Sequence, residues 1–191
     1  MFSLLEQLQN HAPFDERERA MTTRLQNFLE NARDQNPFAR ELAGNAPEIG
    51  HVTGSAWIVN AEYSGIVLLY HAKLKKWVQP GGHCDGQNDV LEVAQREAQE
   101  ETGLVVTPLS TQVFDVDIHQ IPEYWHTPAH FHFDVRYLFQ ADENQIPVCN
   151  EESKAVRWVS LEEAKVLSGE QSVQRMIEKT RRLPKPSERE A

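Results

Sequence analysis

The order of patterns along this chain predicts a layered α/β or α+β domain behind an N-terminal helical extension. Helical periodicity fills roughly the first fifty residues. Strand-like runs, alternating or continuously apolar, follow it. A long helical stretch interrupts those runs, and further helix comes after the last of them.

Taken in order, DERERAMTTRLQNFLENA sets Met21, Leu25, Phe28 and Leu29 on one stripe with charges opposite, which predicts an amphipathic helix. Asn36 and Pro37 read as the N-cap and first residue of a short helix through PFAREL. Gly44 to Gly50, with Pro47 between them, reads as a linker. TGSAWIV and GIVLLYH, with Gly65 in the turn, read as a β-hairpin. WVQPGGHCDGQND reads as a loop. VLEVAQREAQEETG predicts a helix with Asn88 or Asp89 as N-cap and Gly103 at its end. Its apolar stripe is Leu91, Ala94 and Ala98, which should face a sheet.

Two alternating strands come next. Phe114, Val116 and Ile118 oppose Asp115, Asp117 and His119; Phe131, Phe133 and Val135 oppose His130, His132, Asp134 and Arg136. KAVRWV is a short strand, Ser160 and Glu163 form a capping box for SLEEA, and SVQRMIEKTRRL is a last helix. Trp57, Trp77 and Trp158 are expected in the core. The expected division is a helical extension over 1–48, one domain over 49–183 and a disordered tail over 184–191.

A chain of 191 residues can bury a substantial core. Its net charge of −10 argues against duplex DNA and anionic membranes as partners, since both call for clustered Lys and Arg. A small phosphorylated substrate stays compatible, because a bound metal inverts the local field. MFSLLEQLQNHAPFDERERA has neither the basic nor the apolar segment of a signal peptide. No apolar run approaches the length of a bilayer span. Cys84 and Cys149 are too few for a disulfide framework. The expected location is therefore the cytoplasm, with no nucleic-acid or membrane partner; a homodimer stays open.

REAQEETG, Arg96 to Gly103, breaks local rules. Glu97, Glu100 and Glu101 fall within about 100° of helical arc. Like charges at that spacing cost roughly 0.2–0.5 kcal/mol per pair, and the C-terminal end of a helix disfavours anions further. A divalent cation would compensate. Clustered carboxylate oxygens suit Mg²⁺ or Mn²⁺. Gly81 and Gly82 lack a Cβ, so their backbone can approach an ion closely. Arg96, one turn from Glu100, can hold that carboxylate or brace the loop.

Residues 82–104 closely resemble the Nudix box, G-x5-E-x7-R-E-U-x-E-E-x-G-U with U aliphatic. Gly82, Arg96, Glu97, Ala98, Glu100, Glu101, Gly103 and Leu104 are in register, and Asn88 stands where the pattern has its first Glu. KLKKWVQPGGH before the box and EESKAVRWVSLEEA after it extend the likeness to roughly residues 50–182. The resemblance implies an α/β/α sandwich with a mixed β-sheet. It implies hydrolysis of a nucleoside diphosphate linked to another moiety, such as ADP-ribose or a nucleoside triphosphate. It also implies Mg²⁺, with Mn²⁺ an alternative, held by Glu97, Glu100, Glu101 and the Gly82 carbonyl. Arg96 and Glu100 are then expected in the catalytic machinery. Glu152 is the expected base, with Glu151, Asp85 and Asp89 as alternatives. Asn88 leaves a second reading, a catalytically weak domain that binds a nucleotide as a sensor. Isopentenyl diphosphate isomerases share the fold, but the Cys and Glu pair they use is not found here.

His119, His126, His130 and His132 crowd one region. If the two alternating strands pair, their polar residues gather into a substrate pocket, a zinc site or an ordinary half-exposed strand face. His119, His132 and Arg136 are carried forward as substrate-binding candidates. So are Tyr124 and Trp125, which could stack on a nucleobase or plug an apolar gap. Cys84 reads as a small apolar filler rather than a nucleophile.

Overall fold

A computed structural model describes residues 3–32, 34–125 and 127–184. Its elements are α1 (Leu4–Asn10), α2 (Glu16–Asn31), β1 (Gly50–Val59), β2 (Gly65–His71), β3 (Lys76–Val78), β4 (Gly81–His83), α3 (Val90–Thr102), β5 (Thr107–Pro108), β6 (Asp115–Ile121), β7 (His130–Gln140), β8 (Ser153–Ser160), α4 (Leu161–Ser168) and α5 (Gln171–Arg181). The expected tail, apart from Pro184, lies outside the described residues, as does His126.

The sheet is mixed. Its backbone order is β3-β2-β1-β7-β5, with β4 on β1, β6 on β7 and β8 on β2. β1 and β7 run parallel, with His51 opposite His132 and Ser55 opposite Arg136. The β1–β2 hairpin forms as expected, and so does the antiparallel β6–β7 pair. Helices cover both faces. On one side Leu25, Phe28, Val93, Ala94 and Ala98 pack with Val52, Phe133 and Val135. On the other Val173, Met176 and Ile177 pack with Trp57, Val59 and Leu138. Burial of this apolar surface is the main favourable term in folding.

α1 and α2 belong to the first of these cores: the Phe28 and Phe133 rings stack at 4.0 Å. Glu18 ties α2 down from within. Its fully buried carboxylate accepts from the backbone of Phe14 at 2.6 Å and Val116 at 3.3 Å, and it pairs with Lys179 of α5.

Several local expectations change. PFAREL is a series of turns, not a helix. Asn36 accepts from the backbone of Phe38 and Ala39, which closes one turn, and Pro37 O is then spent on Val52 N. WVQPGGHCDGQND is not all loop, because Gly81–His83 pairs with Thr53–Ser55 and Lys76–Val78 with β2. The weak strand propensity of Pro and Gly is overridden there by a long-range partner. Asp89, not Asn88, caps α3, accepting from Glu92 N at 3.1 Å. Val90 and Val93 are fully buried on α3, while Leu91 is only partly so. Ser160 accepts from Glu163 N, but the Glu163 carboxylate bonds Arg157 at 2.8 Å instead of closing a capping box. Trp57 is a core residue; Trp77 and Trp158 are half-buried.

Candidate functional site

α3 presents the three box glutamates in its second half, against the strand that carries Gly81 and Gly82. Each glutamate has a different environment. Glu97 lies directly over Gly82: a Cβ at that glycine would stand 2.5 Å from Glu97 Oε2, so a side chain there would displace the carboxylate. Glu101 is 5% exposed and accepts from Gly81 N–H at 2.8 Å. Glu100 has an exposed side chain. Arg96 links the group, with Nη1 3.0 Å from Glu97 and 3.4 Å from Glu100 and Nη2 donating to His83 O at 3.3 Å. It braces both carboxylates and the loop.

The electrostatics are those of crowded, partly buried carboxylates. Burial pushes the Glu101 carboxyl up to about 7, against the pull of the Gly81 N–H. Burial also raises Glu97, and Glu100 and Glu152 add to the effect. Such values are what a cation-binding carboxylate cluster shows without its cation. Glu101 therefore favours folding fully below its unfolded value of 4.5, and this contribution is lost as pH rises through about 7. The metal-free protein should lose up to roughly 3 kcal/mol between pH 5 and 8 from this group. Thermal melts with chelator should show that loss, and Glu101→Gln should flatten the slope.

Glu152 is exposed at the start of β8, its backbone held by Ala72 N at 3.0 Å and Asn150 Oδ1 at 2.9 Å. Its charge acts on Glu97, Glu101, His71, His83 and Arg40. Glu151 is not among the leading influences on these groups. Asp85 and Asp89 are engaged elsewhere. Arg40 grips Asp85 at 2.6 and 3.2 Å and lowers its pKa, and Asp89 caps α3. Asn88 is exposed just ahead of the helix.

The polar faces of β6 and β7 do come together, with His119 opposite His132, Asp117 opposite Asp134 and Asp115 opposite Arg136. The face divides into two parts. Arg136, expected to touch substrate, is buried instead, bonded to Asp134 at 2.7 Å, Asp115 at 3.3 Å and Asp117 at 3.4 Å. Arg175 and Lys179 from α5 complete this network on Asp115. At the other end His119 and His132 join a histidine cluster that includes two residues the sequence reading left out, His51 and His83. His51 and His132 are register partners across β1 and β7, which no local pattern announces.

Tyr124 and Trp125 are 72% and 80% exposed at the tip of the β6–β7 connection, ring centroids 6.3 Å apart. They plug no apolar gap and remain available to a ligand. Cys84 is buried, and burial pushes its thiol up to about 12, which removes it as a nucleophile.

The family model of the NUDIX domain matches residues 51–180. The chain is 37% identical over 117 residues to the phosphatase NudJ of Escherichia coli K12 and of Shigella flexneri, covering 59% of this chain and 70% of each relative. Among solved structures, a NUDIX-family hydrolase from Clostridium perfringens is 26% identical with a TM-score of 0.51, over 69% of this chain and 96% of that one. An Ap4A hydrolase of C. elegans, 16% identical with a TM-score of 0.50 over 67% and 93%, shares the fold.

Proposed function

The chain belongs to the NUDIX family and is a Nudix hydrolase, and from that premise we propose that it is a divalent-metal-dependent pyrophosphohydrolase of nucleoside diphosphate derivatives. The observation that carries this reading is the seat of Glu97 over Gly82, with Glu101 beside it on Gly81 N–H. Crowded carboxylates with raised pKa values against bare backbone suit a hard cation. Glu97, Glu100, Glu101 and the Gly82 carbonyl would hold Mg²⁺ or Mn²⁺. When bound, such an ion supplies charge neutralisation at the diphosphate and lowers the pKa of water.

The chain's own residues do the rest. Arg96 keeps Glu97 and Glu100 in place. Glu152 accepts the proton of the attacking water. Tyr124 and Trp125 offer stacking faces for a base, and His119 and His132 offer polar contacts on the adjoining strands. Arg136 takes no part in this reading, since its guanidinium is committed to three aspartates. In this reading α1 and α2 are an extension that braces the sheet. The net charge of −10 supports a small nucleotide rather than nucleic acid or a membrane surface as partner, and the free thiols of Cys84 and Cys149 fit a reducing cytoplasm. No helix among the described residues is long and apolar enough to cross a membrane.

The substrate class is read by a phosphate-release screen over ADP-ribose, nucleoside triphosphates and dinucleotide polyphosphates, with Mg²⁺ and with Mn²⁺. The expected result is turnover of one class at about 1 s⁻¹ or faster. Tight nucleotide binding by calorimetry with no turnover would overturn it in favour of a sensor. Asn88→Glu should then raise hydrolysis. The position of Asn88, ahead of α3 while the three glutamates lie in its second half, favours the enzyme.

A further inference from the structure

We propose that His51, His83 and His132 form a second metal site, for a zinc-class transition-metal ion, separate from the carboxylate site. One ring nitrogen from each of the three lies within 4.8 Å of the other two. They come from three adjacent strands. His51 of β1 is the register partner of His132 on β7, and His83 of β4 pairs with Thr53, two residues along β1 from His51. Side chains two apart on a strand share a face, so the topology alone brings the rings together.

His51 is the decisive residue. It is 3% exposed. Its Nδ1 lies 3.1 Å from the Arg40 carbonyl oxygen, which can only accept, so Nδ1 carries the proton. Nε2 is then a bare lone pair. It is buried and has no hydrogen-bond partner among the described residues. An orphaned buried acceptor costs about 1–3 kcal/mol unless something occupies it. A ring fixed by Nδ1–H to a backbone carbonyl, with Nε2 free, is the arrangement found behind metal-ligating histidines.

The neighbours agree. Burial, with neighbouring histidines adding to it, holds His51 down at about 4 and His132 at about 2, so both are neutral donors near pH 7. Imidazole nitrogen suits Zn²⁺ and not Mg²⁺. Bonds of about 2.0–2.1 Å place tetrahedral ligands about 3.4 Å apart, so ring rotations of modest size would close the site. The charge of Arg40 opposes it, and Asp85 pairs with that guanidinium. His119, half-exposed beside His132, gives the cluster an open edge for a further donor. The two metal sites lie on opposite faces of β4: Gly82 faces Glu97, so His83 turns the other way.

The test uses the full chain and Zn²⁺ alone as probe, titrated by calorimetry over excess Mg²⁺. One Zn²⁺ per chain is expected. His51→Asn with His132→Asn should weaken Zn²⁺ by about tenfold or more, since even outer partners of metal ligands are worth that much. The same variant should leave Mn²⁺ binding at the carboxylates in place, while Glu97→Gln with Glu101→Gln should do the reverse. Because the histidine variant could misfold, imidazole ¹⁵N spectra of the unmutated protein provide the second reading. Zn²⁺ should move Nε2 of His51 and resonances of His83 and His132, with the His51 Nδ1–H retained. Zn²⁺ that follows the carboxylate variant, or that leaves these three rings unmoved, overturns the proposal. Failure of the carboxylate reading would show separately, in the Mn²⁺ arm.

Discussion

Glu100→Gln and Glu101→Gln should each lower kcat by about 100-fold or more, and EDTA should abolish turnover. The two substitutions act from different starting points. Glu100 is exposed, so its amide form removes one proposed metal ligand and weakens only the 3.4 Å contact with Arg96. Glu101 is buried on Gly81 N–H, and glutamine keeps an acceptor for that bond while removing a charge whose burial is unfavourable. Above pH 7 the Glu101→Gln protein should therefore melt no lower than the parent when both are metal-free, and turn over far more slowly when both are given metal. Activity falling as stability holds would separate a metal-ligand role from a structural one. Undiminished hydrolysis in chelator would end the metal-dependent reading.

The box was legible because its information is local. Glu97, Glu100 and Glu101 lie within two turns of one helix, and their conflict with helix electrostatics is written in the spacing itself. The alternating faces of β6 and β7 were legible for the same reason, since period-2 alternation needs no partner to be seen. What failed to show was long-range. His51 and His83 joined His132 only through the parallel β1–β7 register and the short β4 pairing, each between residues far apart in sequence. Arg136 looked like a surface cation because its strand alternates. Its true partners include Asp115, which is held in turn by Arg175 and Lys179 of α5, a helix some forty residues on. PFAREL carried a helix start without the length to propagate one. Glu18 shares the helical stripe of Met21 and Leu25 and is fully buried, but its partner Lys179 on α5 lay out of local view. In each case a polar residue found its partner on another element, which local periodicity cannot see.

Glu152→Gln should lose far more kcat than Glu151→Gln, with KM little changed for either. A base acts in the transition state, so its removal leaves ground-state binding intact. The two neighbours make a matched pair: same residue type, adjacent, both exposed before β8. They differ in where their charge is felt. Glu152 is among the charges that raise the carboxyls of Glu97 and Glu101, and Glu151 is not among the leading ones. The rival acids are already engaged, Asp85 by Arg40 and Asp89 by the first turn of α3. The proton acceptor must come within hydrogen-bond reach of the attacking water, directly or through one other. Glu152 is free to do so because only its backbone is tied, to Ala72 and Asn150. Equal and small effects from the two would reject Glu152 as the base. The attacking water would then have to give its proton to a group within the α3 cluster itself, with the exposed Glu100 the first to examine.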